Sequence, residues 1–295
     1  MKNRLYYIIM CAVLATAFTY APPAHAILPT EVRWHNESSD TTKITDILIK
    51  VTNAHPTTPN ETVALIAKEF IGTPYVAGTL EGSPEMLTVN LDELDCTTFI
   101  DIVAALALTI EERRSSWQDF LHNLEQMRYR QGRVDGYGSR LHYISDWIVS
   151  NNHRGYIQEM TDRLPNSHYQ VKTLDYMSRH REAYPALKDS TEYERIKSAE
   201  VGYRSHRFPY IKSSSLMGKN GTANLKEGDI VALTTKTPGL DVSHMGIIVM
   251  EKDGPHLLHA SSKAGKVVID KLNLSDYLRK AHQITGLRVI RIKEQ

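Results

Sequence analysis

Cysteine is nearly absent from this chain: Cys11 and Cys96 are its only two among 295 residues, so at most one disulfide is possible. Charge of either sign is not in excess, with 35 Lys+Arg against 34 Asp+Glu and a formal charge of +1. No Lys/Arg stripe stands out, and a nucleic-acid binder that works by phosphate neutralisation is more basic than this. Repeats and low-complexity tracts are missing too. Hydrophobic residues at 41% and charged residues at 23% are ordinary globular values, which exclude disorder, collagen and a polytopic membrane protein. The length suffices for one large domain or two small ones with a sizeable core.

The first 26 residues change the cysteine arithmetic. Lys2 and Arg4 form a basic start, Leu5 to Phe18 is apolar and uncharged, and Ala24-His25-Ala26 fits a signal-peptidase site. The apolar run is too short for a good membrane anchor. A lipoprotein role for Cys11 is disfavoured by Met10 before it. Cleavage near Ala26 is expected, with an exported, periplasmic or otherwise extracytoplasmic product. Loss of Lys2 and Arg4 takes the 35 basic residues to 33 against 34 acidic ones, a charge of about −1. Cys96 then has no partner for an internal bridge. It is an intermolecular link, a reactive group, or a small buried hydrophobe.

Residues 27–57 are polar and Thr-rich, with one amphipathic stretch from Ile44 to Val51, and read as a lead-in to a single catalytic domain over 58–295. Thr58-Pro59-Asn60-Glu61 predicts a helix start with a Thr58 cap and a Glu61 capping box; Gly72 is expected to end that helix. A second helix is predicted from Cys96 through Thr109, with Phe99, Ile102, Val103, Leu106 and Ile110 on one apolar face. A third is marked by Trp117, Phe120, Leu121, Leu124 and Met127. The stretch from about 130 to 200 is irregular and rich in Tyr, His and Arg. After it come short β-branched runs at 229–234, 244–250, 256–261, 266–270 and 287–292, and a predicted helix at 273–281. Helices first and an antiparallel sheet second predict an α+β fold.

Cys96 falls where loop gives way to helix, in Leu94-Asp95-Cys96-Thr97-Thr98-Phe99. The positive end of a helix favours the thiolate, and free N–H groups there suit an oxyanion. A structural cysteine belongs on the apolar face further along. A base is available in His244, which opens the apolar strand His244-Met245-Gly246-Ile247, where Gly246 permits close approach. The imidazole needs an orienting partner. His256 and His259 lie on opposite faces of the following strand, so one of them serves. His259, beside the small Ala260 and Ser261, is preferred, and His256 is expected at the surface near the turn.

These segments together resemble the NlpC-type cell-wall cysteine peptidases. The order is Gly72-Thr73-Pro74-Tyr75, Asp95-Cys96, Gly228-Asp229-Ile230-Val231, His244-Met245-Gly246-Ile247 and Leu258-His259-Ala260-Ser261. The resemblance implies a papain-like α+β hydrolase with Cys96 as nucleophile, His244 as base, His259 as orienter and Tyr75 beside the oxyanion site. The chain departs from common members in having Thr97-Thr98 after the cysteine and 147 positions between Cys96 and His244. Both departures resemble the N-acetylmuramoyl-L-alanine-amidase-like branch, with Thr79-Leu80-Glu81, with Ser139-Arg140-Leu141-His142-Tyr143-Ile144-Ser145-Asp146-Trp147, and with Gly239-Leu240-Asp241-Val242-Ser243-His244. Over residues 60–295 the likeness implies an amidase that cuts between N-acetylmuramic acid, in its anhydro form, and L-alanine of muropeptides. It requires no metal or cofactor.

An insert at 112–205 then shapes the cleft. Substrate contacts are expected from Arg140, Tyr137, His142, Asp146, Glu81 and Asp241. Aromatic rings stack on sugars, and Arg or Asp bind hydroxyls and carboxylates. Tyr143 and Trp147, four apart, also fit a core face. The rivals are a γ-D-glutamyl-diaminopimelate endopeptidase with the same triad, a zinc amidase, and a glycan-binding module. For zinc, His256 and His259 point oppositely on one strand, and no His-Glu-x-x-His helix exists.

Overall fold

The segment around Cys96 builds its own helix start. The Asp95 carboxylate accepts the Thr97 and Thr98 N–H groups at 2.9 and 2.8 Å, and the Thr98 hydroxyl accepts the Asp95 N–H at 2.8 Å. This reciprocal capping box makes Cys96 the first helical residue. In the computed structural model, which describes residues 31–218 and 220–295, the elements run as follows. A short β1 (Val32–Trp34) precedes α1 (Glu37–Asn53), α2 (Pro59–Lys68) and β2 (Leu87–Val89). Then come α3 (Cys96–Glu111), α4 (Trp117–Arg128), α5 (Ile144–Arg154), β3 (Ile157–Glu159), β4 (Ser167–Val171), α6 (Tyr176–Arg179) and α7 (Ser190–Gly202). The last part holds β5 (Arg207–Lys212), α8 (Ser213–Leu216), β6 (Ile230–Thr235), β7 (Val242–Glu251), β8 (Gly254–Ser261), β9 (Lys266–Asn273), α9 (Leu274–Lys280) and β10 (Ile284–Ile292).

Among the described residues, β1 and β2 pair in parallel, and the other strands form one antiparallel sheet in the order β4-β5-β10-β6-β7-β8-β9, with β3 also on β10. The α+β expectation and the five late strands hold, as does the helix at 273–281, where Asn273 is the cap. The expected export signal, with Cys11, lies outside the described residues.

Every residue of α3 from Thr98 to Thr109 is buried. The helix is therefore central rather than one-sided, as an all-round apolar sequence requires. It packs between α4, α2 and the β7–β8 hairpin, in a core that also holds Ile247 and Leu258. The stretch expected as a lead-in contributes to that same core. Ile44, Ile47, Leu48 and Val51 share one face of α1 and are buried there.

Two local details differ from expectation. Glu61 bonds Thr57 rather than closing a box on Thr58. The helix α2 ends at Lys68, and Gly72, at φ +96°, instead donates its N–H to Val267 on β9. The insert is not featureless: Tyr137, Tyr143, Leu174, Met177, Leu187, Ile196 and Phe208 form a separate small core.

Candidate active site

Three backbone segments converge on Cys96. The strand-like stretch 73–76 lies beside the helix start: the Leu94 N–H donates to Pro74 and the Val76 N–H to Leu94, while the Tyr75 N–H reaches Gly265 in the β8–β9 turn at 2.9 Å. On the other side, β7 brings its Met245 N–H to the sulfur. The cap uses the N–H groups of Thr97 and Thr98, which leaves the Cys96 N–H beside its own thiol.

His244 and His259 meet across the β7–β8 hairpin, with His244 Nε2 2.6 Å from His259 Nδ1 and the rings nearly perpendicular. The bond commits Nε2 of His244 and leaves its Nδ1 as the uncommitted ring nitrogen. Gly246 serves packing: a side chain there would lie 2.5 Å from Leu257 Cδ1 and 3.1 Å from the Leu258 carbonyl. His256 is not at the surface. It is 5% exposed, with Nδ1 bonded to the Asp270 carbonyl and Nε2 to Asp253. A pleated strand puts it on the face away from His259, where β9 covers it.

The electrostatics run against the preformed thiolate expected from the helix start. Burial pushes the Cys96 thiol up to about 11, and the Asp95 carboxylate adds to this. The Met245 N–H, the Thr97 hydroxyl and the Cys96 N–H act in the opposite direction. Burial pushes His244 down to about 3, with His259 next to it contributing. The resting pair is therefore a neutral thiol and a neutral imidazole: desolvation outweighs the partial charge at the helix terminus. Tyr75 is half-buried, and burial, then the Cys96 and Asp95 charges, raise its hydroxyl.

A second cluster gathers Glu81, Tyr137, Arg140 and His142, four of the residues expected to contact substrate. Arg140 Nη2 donates to Glu81 Oε1 at 2.8 Å, and its guanidinium lies 4.8 Å over the Tyr137 ring. His142 Nε2 is 2.9 Å from the Tyr137 carbonyl, and the two rings are 4.4 Å apart. Glu85, which sequence reasoning missed, lies 3.4 Å from Arg140 Nε and accepts the Tyr129 hydroxyl. Its other oxygen, Arg140 Nε and the Thr79 hydroxyl are buried without a hydrogen bond, an unusual concentration of unsatisfied polar groups.

The remaining expected contacts are not in this cluster. Asp146 is buried, paired with Arg130 at 2.6 and 3.2 Å and with the Tyr203 hydroxyl at 2.7 Å. Asp241 is buried and accepts the Ser145 N–H in the first turn of α5 at 2.5 Å. Internal partners take up both oxygens of Asp146, whereas Asp241 spends one oxygen on Ser145 and keeps Oδ1 buried without a hydrogen bond. Tyr143 and Trp147 are buried as well, so the core alternative applies to them.

A cleft of about 920 Å³ opens elsewhere, between the 130–139 segment and α7. Arg130, Arg133, Arg195 and Tyr203 line it, and neither Cys96 nor His244 does. Among the described residues no helix is long and apolar enough to cross a membrane. Nor do three or more His, Cys, Asp or Glu side chains gather there as a metal would require.

A family model described as AmiA-like, N-acetylmuramoyl-L-alanine amidase-like, matches residues 65–286. The chain is also similar to an N-acetylmuramoyl-L-alanine amidase from Bacteroides uniformis. Identity is 37%, the match covers 80% of this chain and 99% of that one, and the TM-score is 0.74. A Bacteroides fragilis protein provisionally described as a xylanase is 43% identical over 77% of this chain and 99% of its own, with a TM-score of 0.71. A Legionella pneumophila protein of the DUF1460 family, 23% identical over 87% and 95%, shares the fold with a TM-score of 0.67. Among curated proteins none matches this chain.

Proposed function

The chain belongs to the AmiA-like, N-acetylmuramoyl-L-alanine amidase-like family, and from that premise we propose that it is a cysteine-dependent amidase of the papain-like NlpC type. It hydrolyses the amide between the lactyl group of N-acetylmuramic acid, preferably in the anhydro form, and L-alanine of a muropeptide. The observation that carries this reading is a free cysteine at the first turn of a buried helix, facing a strand whose histidine is bonded to a second histidine. Residues 1–26 serve as an export signal, and the mature enzyme works outside the cytoplasm.

The reaction begins with a neutral pair. As the sulfur attacks the lactyl carbonyl carbon, His244 Nδ1 takes the thiol proton. The oxyanion forms near the Cys96 and Met245 N–H groups and the Tyr75 hydroxyl. Collapse breaks the C–N bond, and the His244 imidazolium gives its proton to the departing alanine nitrogen. A water then attacks the thioester while His244 accepts its proton, and the acid leaves as the thiol is restored. Glu81, Arg140, Tyr137 and His142 receive the sugar or the stem-peptide carboxylates.

Mass spectrometry of products from defined anhydro-muropeptides tests the reading. Free anhydro-disaccharide together with an intact stem peptide is expected from the wild type, and none from Cys96→Ala. A sugar still carrying L-Ala-D-Glu assigns the endopeptidase activity instead, and cleavage between sugars assigns a glycosidase. Full turnover by Cys96→Ala removes the cysteine mechanism.

A further inference from the structure

The ladder between β8 and β9 is irregular at one place. Residues pair one for one from Ser261↔Lys266 to Leu258↔Ile269, but the next pair is His256↔Asn273. Asp270, Lys271 and Leu272 therefore stand opposite Leu257 alone. Such bulges re-aim side chains next to active sites. Here the bulge fixes Asp270 at three points. Its carbonyl accepts His256 Nδ1 at 2.8 Å, its Oδ1 accepts the Leu272 N–H at 2.9 Å, and its Oδ2 faces His259 Nε2 at 3.5 Å. That ring nitrogen is buried and has no closer partner. Tyr277 of α9 covers the other side, its ring edge-on to His259 at 5.9 Å.

The proton count across this chain of groups has two solutions. Two neutral imidazoles joined Nε2···Nδ1 share one N–H. If His244 donates it, the lone pair of His244 is on Nδ1, ready to take the thiol proton, and His259 carries its own proton on Nε2. If His259 donates it, His244 carries its proton on Nδ1 and is no base for Cys96. The first solution points an N–H at the Asp270 carboxylate, and the second points a lone pair at it. We propose that Asp270 is a positioning residue that selects, through His259, the His244 tautomer able to accept the Cys96 proton. When His244 becomes an imidazolium, the same carboxylate faces the developing charge through the intervening ring. The inference rests on the reading of Cys96 and His244 as the reacting pair.

Asp270→Asn is a sharp probe. Oδ1 is held by the Leu272 N–H, so an asparagine that keeps that bond presents its NH₂ to His259 Nε2 and favours the inactive solution. Expected are a kcat lower by roughly 10- to 100-fold, as for other groups that orient a reacting residue, and a KM within about twofold, since binding is untouched. Asp270→Glu should recover part of kcat. The acid limb of the pH–rate profile should move in Asp270→Asn. The charges that act on this pair are those of its own two rings and of Asp270, and Tyr277, edge-on to His259, is the neighbouring titratable group; among these only Asp270 is altered.

Nitrogen-15 NMR of the histidines in unmutated protein gives a reading that needs neither turnover nor a variant. His244 protonated on Nε2 is expected, and protonation on Nδ1 overturns the proposal. In Asp270→Asn the proton should shift to Nδ1, whereas an unchanged tautomer with wild-type kcat also overturns it. If Cys96→Ala keeps full turnover while the tautomer still shifts, the amidase mechanism fails and the role of Asp270 in setting the tautomer stands.

Discussion

The surroundings of Cys96 and the insert that follows are held together in different ways. Around α3, twelve consecutive residues are buried, and aliphatic side chains and alanines do most of the filling. The helix is located by shape, by the capping box at its start and by one buried ion pair, Asp101 with Arg128 at 2.8 Å. In the insert and its seam with the sheet, a small core of aromatic and aliphatic side chains is accompanied by buried polar groups that pair with one another. Tyr143 donates to Glu200, Asp146 holds Arg130 and Tyr203, and Arg288 joins Glu159 and Ser145. An apolar core tolerates volume-conserving change. A buried network fails when one member leaves, because the others remain desolvated and unmatched.

The largest effect that probes this contrast is on the thiol itself. The apolar setting holds Cys96 protonated, so the reactive thiolate grows about tenfold per pH unit below its pKa of about 11. Alkylation by iodoacetamide should climb steadily from pH 7 to pH 10. A plateau by about pH 6 would mean that the helix terminus and His244 overcome burial. Next comes the seam. Arg288 is 1% exposed and binds Glu159 at 2.8 and 2.9 Å and the Ser145 hydroxyl at 2.7 Å. Arg288→Met leaves Glu159 without its partner and should destabilise the fold by about 3–5 kcal/mol in urea unfolding. A loss under about 1 kcal/mol would place the strength of the seam elsewhere. The smallest effect belongs to α3. Ile102→Val removes one methylene from a packed core and should lower stability by about 0.5–1.5 kcal/mol, with kcat unchanged. A large loss of kcat would show that α3 packing tunes the nucleophile after all.

The same contrast explains what could be read in advance. The segments around Cys96 and His244 carry strong local patterns, Asp-Cys at the start of an apolar helix and His two residues into an apolar strand. The helix α1 carries the right spacing in Ile44, Ile47, Leu48 and Val51. Its Thr-rich first turns disguised it, and there the hydroxyls of Thr41, Thr42 and Thr45 bond to carbonyls one turn back. The insert was opaque because its partners are far apart in sequence: Glu159 and Arg288 are 129 residues apart, and Tyr143 and Glu200 are 57 apart. No local window contains both halves of such a pair. The partners of Asp146 and Asp241 are likewise beyond any local window, with Tyr203 57 residues from Asp146 and Ser145 96 residues from Asp241. Asp270 sits at the end of the run Val267-Val268-Ile269-Asp270, and period-two counting gives no hint of the bulge that aims it.

A sulfur kept protonated is a poor target for peroxide and for disulfide exchange, since both act on the thiolate. With burial raising the Cys96 thiol to about 11, the ionised form is a small minority at pH 7. Asp95 strengthens this, so the carboxylate that begins α3 also shields the residue beside it. The shield is selective by construction. A diffusing oxidant finds a thiol, whereas in the mechanism proposed above a carbonyl seated next to His244 meets a sulfur that sheds its proton as the bond forms. An unpaired cysteine built this way is chemically durable in an oxidising compartment, where the proposed export would place it.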